Sequence, residues 1–325
     1  MRRSRVVTRF LVFAVLACTG LARAAEKAPE YQKLRYGEDY GYLRSPDARR
    51  DFFDPIKYIP ISSDGAAYLS LGGLLRERYE YQSNPLWGDG SQDRSGVFLQ
   101  RYMLHADLHL SAHGRAFAQF QSALASGRRG GPSPVDEDEL DLHQAFADIA
   151  LGIGGTLALT LRAGRQEMAY GSARLIDVRQ GPNVRRSFDA ARVLLHAGGW
   201  QVDGFAARPV LSGGGVFDSR RDPNQALWGV YGSGKPSGLR GAALDLYCLS
   251  LNDGLYSPAG ALIRGAGGSR ARYVGSAVSL AADWQITRHL NLTTIYAHAF
   301  PGQFIRDTGP AESIDFIETT FTLTF

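Results

Sequence analysis

The chain has 325 residues, a formal net charge of +4, and 44% hydrophobic against 21% charged residues. It is too long for a disulfide-stapled miniprotein and too apolar for a disordered chain. Its two cysteines, Cys18 and Cys248, exclude a disulfide framework.

The first segment reads as an address. Met1-Arg2-Arg3-Ser4-Arg5 is a positive n-region, Phe10 to Ala17 is an apolar run too short to span a bilayer, and Ala22-Arg23-Ala24 has the small-x-small cleavage pattern. Residues 1–24 are therefore expected to be a Sec signal peptide cleaved near Ala24. Val15-Leu16-Ala17-Cys18 offers a competing lipoprotein box, but Leu16 fits it poorly. Without the five arginines of this segment, 31 basic residues face 32 acidic ones. The basic balance thus belongs to the address, and no nucleic-acid partner is expected. Cys248 is left alone. After residue 24 no apolar run approaches the ~18 residues of a membrane helix. A closed barrel remains the route into a membrane, because closure satisfies every backbone group.

Residues 25–65 are polar, rich in Tyr, Asp and Arg, and lack clean periodicity; they end in Lys57-Tyr58-Ile59-Pro60. They read as a periplasmic N-terminal segment. Residues 66–325 carry the period-2 alternation of strands. Leu69, Leu71, Leu75, Tyr79 and Tyr81 oppose Ser70, Arg76, Arg78 and Glu80. Leu104, Ala106 and Leu108 oppose Arg101, His105, Asp107 and His109. Leu157, Leu159 and Leu161 oppose Thr160 and Arg162, and Val193 and Leu195 oppose Arg192 and His196. Val278, Leu280, Ala282 and Trp284 oppose Ser279 and Asp283. Tyr79, Tyr81, Trp200, Trp228, Trp284 and Tyr296 fall near segment ends, where interfacial girdles place aromatics.

Strands are expected over about 66–82, 97–110, 115–126, 140–151, 156–168, 188–197, 200–208, 225–233, 239–251, 272–286, 290–300 and 314–325. The links alternate: Ser111–Gly114, Gly152–Gly155, Gly198–Gly199, Gly234–Gly238 and Thr287–His289 are short, while 83–96, 127–139, 169–187, 209–224, 252–271 and 301–313 are long. Short periplasmic turns and long outer loops mark an all-β, antiparallel, up-and-down transmembrane barrel of about twelve strands.

Several stretches resemble the alginate export family of outer-membrane porins. They are Glu38-Asp39-Tyr40-Gly41-Tyr42-Leu43-Arg44, Gly72-Gly73-Leu74-Leu75-Arg76-Glu77-Arg78-Tyr79-Glu80, Asp141-Leu142-His143-Gln144-Ala145-Phe146-Ala147-Asp148, Gly164-Arg165-Gln166-Glu167, Gly181-Pro182-Asn183-Val184-Arg185-Arg186-Ser187-Phe188-Asp189, Ser269-Arg270-Ala271-Arg272-Tyr273-Val274-Gly275-Ser276 and Phe304-Ile305-Arg306-Asp307-Thr308-Gly309. The resemblance implies a longer, eighteen-stranded barrel. Here Leu244-Asp245-Leu246-Tyr247 resembles the ninth strand and Leu251-Asn252-Asp253-Gly254 the end of the fifteenth, as if six strands were deleted near Tyr247–Cys248. The terminal Phe321, Leu323 and Phe325 resemble the signal read by the barrel assembly machinery. The resemblance also implies outer-membrane lipid and lipopolysaccharide as surroundings and an anionic polysaccharide, alginate or a related uronate, as cargo.

On the inferred water-facing side stand Arg76, Arg78, Arg101, His105, Asp107, Arg115, Arg162, Arg192, Asp203, Asp245, Asp283 and Glu318. Fixed guanidinium charges lower the barrier for carboxylates and the acids temper the field; alternatively the charges pair across the lumen and hold the barrel together. Arg128-Arg129, Arg185-Arg186, Arg220-Arg221, Arg270 and Arg272 are expected in loops, facing polysaccharide or lipopolysaccharide phosphates. Asp136-Glu137-Asp138-Glu139 reads as a solvated loop. Catalysis, cofactor and metal find no support: His105 and His109 lack a third ligand, and Tyr170-Gly171-Ser172-Ala173 is no nucleophile elbow. The expected function is passive, electrostatically guided conduction of anionic polysaccharide, with a small-anion porin or a non-conducting remnant as alternatives.

Overall fold

The computed structural model describes residues 29–93, 95–152, 157–235, 244–253, 269–271 and 273–325. The expected signal peptide, most of the expected turns 152–155 and 234–238, residues 239–243 of the expected ninth strand, most of the expected loop 252–271, and Arg272 lie outside the described residues. Three short 3-10 turns, Arg35–Gly37, Gly41–Arg44 and Pro46–Ala48, lead into helix α1 (Asp54–Lys57). Fourteen strands follow among the described residues. They are β1 (Ile59–Pro60), β2 (Tyr68–Gln82), β3 (Val97–His109), β4 (Gly114–Ser126), β5 (Asp138–Gly152), β6 (Ala158–Gln166) and β7 (Phe188–Ala197). The second half adds β8 (Trp200–Leu211), β9 (Arg220–Arg221), β10 (Gln225–Gly234), β11 (Leu244–Asp253), β12 (Gly275–Gln285), β13 (Leu290–Pro301) and β14 (Ile314–Thr324). A short helix α2 (Gln303–Thr308) interrupts the last long loop, which the sequence reading left irregular.

The twelve long strands coincide with those expected from alternation. They form one antiparallel sheet ordered β11-β10-β8-β7-β6-β5-β4-β3-β2-β14-β13-β12, with β1 on β2 and β9 on β8 as short additions. Consecutive long strands pair except β11 and β12, and β14 returns to β2, so the first and last long strands are joined. At the β7–β8 turn Gly198 and Gly199 take φ of +55° and +83°, the left-handed pair that a two-residue hairpin needs.

The register separates two chemistries. Ile149 lies opposite Leu161, and Leu161 opposite Val193; all three are exposed on the outer face. One residue along, Asp148 lies opposite Arg162, and Arg162 opposite Arg192; all three are buried on the inner face. Apolar residues that would be inside a soluble protein are here outside, as lipid contact requires.

The expected closed ring is corrected in one respect. Among the described residues, β11 and β12 each have one unpaired edge, and the sheet is open between them. The opening borders β11, which carries Tyr247–Cys248, where the family-like stretches jump. Nearly every described side chain of β11 and β12 is exposed on both faces.

The outward placement of Leu104 on β3, more than half exposed, gives a direct check. Leu104→Arg should cost about 2–4 kcal/mol of unfolding free energy in bilayers if it sits near the midplane; urea titration of the reconstituted protein measures it.

Candidate functional site

All twelve residues expected on the water-facing side lie on the inner face of the sheet, but they are not equally placed. Arg76, Arg101, His105, Asp107, Arg162, Arg192 and Asp203 are buried, whereas Asp245 and Asp283 on the strands that border the opening are exposed. Asp283 accepts hydrogen bonds from Asn291 Nδ2 and Thr293 Oγ1, both at 2.8 Å.

Around the buried half the charges are paired. Arg115 forks onto Asp107 with Nε at 2.7 Å and Nη2 at 2.6 Å. Arg162 forks onto Asp148, both bonds 2.7 Å. Arg192 holds Asp203, which also accepts the Tyr170 hydroxyl. Arg78 lies between Glu80 at 3.0 Å and Glu318 at 3.5 Å. Planar guanidinium suits this two-oxygen contact, and each pair removes the cost of a bare charge beside other buried groups. The two histidines part company: the His105 ring stacks on Phe117, while His109 stacks on Tyr68.

Two segments cover this lattice. The loop between β6 and β7 folds onto the inner face. Arg101, fully buried, donates from Nε to the Asn183 carbonyl at 2.7 Å, and its Nη2 reaches Pro182. Arg76 donates to Gln180 O at 2.9 Å and to Asn183 Oδ1 at 3.0 Å. Asn183 Nδ2 in turn lies 2.9–3.1 Å from the carbonyls of Asp136, Gln100 and Leu124. At the base of the loop Glu167 is buried between Arg185 at 2.7 Å and His143 at 2.8 Å. Burial opposes its charge, but Arg185 and His143 outweigh that and hold the carboxyl below the usual range. The second cover is the N-terminal segment, whose residues 35–36 and 57 touch the inner face.

Several residues were missed or misplaced by sequence reasoning. Glu167 and Asn183 stood in family-like stretches but were given no role there, and Asp148 and Tyr36 were not expected to line the site. Arg185, expected in an outer loop, is buried against Glu167. The acidic run is not a solvated loop: Asp136 and Asp138 are buried, and Asp136 accepts bonds from Ser133 and Arg128.

A family model described as alginate export matches residues 67–257. The chain belongs to the alginate export family. Membership and the barrel-type sheet assign this alginate-export protein to the bacterial outer membrane, with a porin-like fold. No curated protein matches it. Similar solved structures include Pseudomonas aeruginosa OccD3 (OpdP), at 13% identity and a TM-score of 0.41, covering 87% of this chain and 63% of that one. The chain thus spans under two thirds of OccD3. The outer-membrane channel DcaP of Acinetobacter baumannii is 10% identical, TM-score 0.28, with coverage of 82% and 100%. An anion-selective porin from Comamonas acidovorans is 8% identical, TM-score 0.20, with coverage of 80% and 100%.

Two outcomes test the electrostatics. Arg162→Met strands the buried Asp148 carboxylate and should destabilise the protein by about 3–5 kcal/mol, whereas Arg162→Met with Asp148→Leu should recover most of that loss in urea titration. Lys57 on α1 is buried and its Nζ has no hydrogen-bond partner among the described residues. Burial, then Arg35, push its amine down to about 7, against the pull of Glu38. The packed state therefore prefers the neutral amine. Its contribution is least favourable below about pH 7, and stability should climb from about pH 7 toward about pH 10, while the unfolded chain still holds a proton that the folded one has released. Lys57→Met should flatten that rise in the midpoint of heat-induced gel-mobility change.

Proposed function

We propose that this protein is a passive outer-membrane porin for uronate-bearing anions, anionic polysaccharide included, guided by the inner-face arginines. The carrying observation is two arginine groups on one face of a membrane-type sheet, Arg76 opposite Arg101, and Arg115, Arg162 and Arg192 in line through Asp148. Fixed guanidinium groups attract carboxylates, and the interleaved Asp107, Asp148 and Asp203 keep the attraction shallow enough for release. Conduction requires a sealed wall, so the edges of β11 and β12 are taken to meet in the membrane. They run antiparallel in up-and-down order and are joined by residues 254–274, a link long enough to bring them together.

A second reading, a porin for small anions, is favoured by the strand number. A twelve-stranded lumen is narrower than an eighteen-stranded one, and the inner face is already partly covered.

Planar-bilayer recording separates the two. The proposal expects anion-selective current that uronate oligomers reduce reversibly at millimolar concentration. Anion-selective current untouched by oligomers supports the small-anion reading, and cation selectivity contradicts both.

A further inference from the structure

The N-terminal segment does more than cover the sheet. At the end where β14 finishes, Arg35 donates from Nη1 to Gly73 O and from Nη2 to Phe325 O, both 2.9 Å, while its Nε binds Glu38 at 2.7 Å. Phe53 stacks on Phe325 at 5.1 Å, and Asp51 lies 2.7 Å from His289 Nε2 in the β12–β13 turn. These contacts latch the segment to the first and last parts of the sheet.

Its neighbour Tyr36 reaches the other side. The Tyr36 hydroxyl donates to Glu167 O at 2.8 Å and is approached by Arg192 Nη1 at 3.3 Å. Arg115 Nη2 donates to the Tyr36 carbonyl at 2.6 Å, and the Arg162 guanidinium lies 4.3 Å above the ring centre. Phe117 and Phe146 pack edge-on around the same ring. Further along, Leu43, Tyr40 and Tyr58 bury against Tyr68 of β2. The segment therefore crosses the inner face from β14 to β7, and one neutral tyrosine occupies the seat formed by Arg115, Arg162 and Arg192.

We propose that residues 31–58 are a built-in stopper, and that Tyr36 and an anionic ligand compete for the Arg115–Arg162–Arg192 seat. A carboxylate there would form charge-assisted hydrogen bonds stronger than those of a phenol or a peptide carbonyl. Because the two occupants exclude each other, ligand weakens docking of the segment and docking weakens ligand binding by the same factor. This rests on the anion-porin reading for its biological meaning, but not for its test.

The test uses the full chain with Cys248→Ser and a reporter, Leu43→Cys, at a fully buried position of the segment. Maleimide labelling is followed in the folded, heat-modifiable protein. The stopper predicts slow labelling that accelerates at least about tenfold on adding a uronate oligosaccharide, and equally on introducing Arg35→Ala with Tyr36→Ala. It also predicts higher bilayer conductance for the Arg35→Ala/Tyr36→Ala protein. Labelling that neither oligosaccharide nor substitution changes overturns the competition. Faster labelling without higher conductance overturns the stopper. If neither protein conducts at all, the porin reading falls, while the labelling still reports whether the segment and the anion compete.

Discussion

A slip of one residue between neighbouring strands would turn Arg162 and Asp148 to lipid and Leu161 and Ile149 to the interior. The structure depends on that register. It is set by alternation along each strand and pinned by short turns such as Gly198-Gly199, which leave no slack between β7 and β8. Once it holds, leucine and valine face the membrane without further instruction, and the arginine–carboxylate pairs arrive on the other side; Glu77, held by Gln100 and Tyr102, is a charged group on the outer face. The bulges between β4 and β5, near Gln119 and Gln121, are local exceptions that re-aim the polar side chains around His143 and Gln144.

Concentrating charge on one face creates the second problem, which is to keep it stable. The forks Arg115–Asp107 and Arg162–Asp148 neutralise it in pairs, while Arg76 and Arg101 instead use carbonyls of the folded-in loop. A lattice of this kind is rigid where it is covered and soft where it is not. The exposed acids Asp245 and Asp283 sit on the uncovered side, next to the opening. Guidance of anions and structural pairing are thus not rival explanations of the same arginines. A guanidinium with one carboxylate already in place retains free N–H groups toward a second anion.

The strands and the face of each residue were legible because both follow from a two-residue period within single segments. What escaped depended on segments distant in sequence. Nothing near Arg185 announces Glu167 as its partner, since the loop must first fold inward. Tyr36 reads as one tyrosine in a polar stretch until Phe117, Phe146 and Arg162 are brought around it. Asp136 and Asp138 read as solvated because a run of four acids usually is, yet Arg128 and Ser133 bind the Asp136 carboxylate, the Asn183 amide binds its backbone carbonyl, and Asp138 is buried at the start of β5. A jump in the family-like stretches near Tyr247 was legible, but the open edge between β11 and β12 was not, because curvature belongs to the whole sheet.

Unpaired strand edges are costly in lipid, since each free N–H and C=O lacks a partner there. The account therefore stands on β11 meeting β12. Cys248 faces outward on β11, opposite Val230, and Val278, Leu280 and Ala282 face outward on β12. Oxidative cross-linking of Cys248 to a cysteine placed at each of these three positions, in the folded protein in bilayers, tests the closure directly. The account predicts an intramolecular disulfide, strongest at one position, seen as faster non-reducing migration of a monomer. Disulfide-linked dimers, or no cross-link at any position in a folded protein, would contradict it.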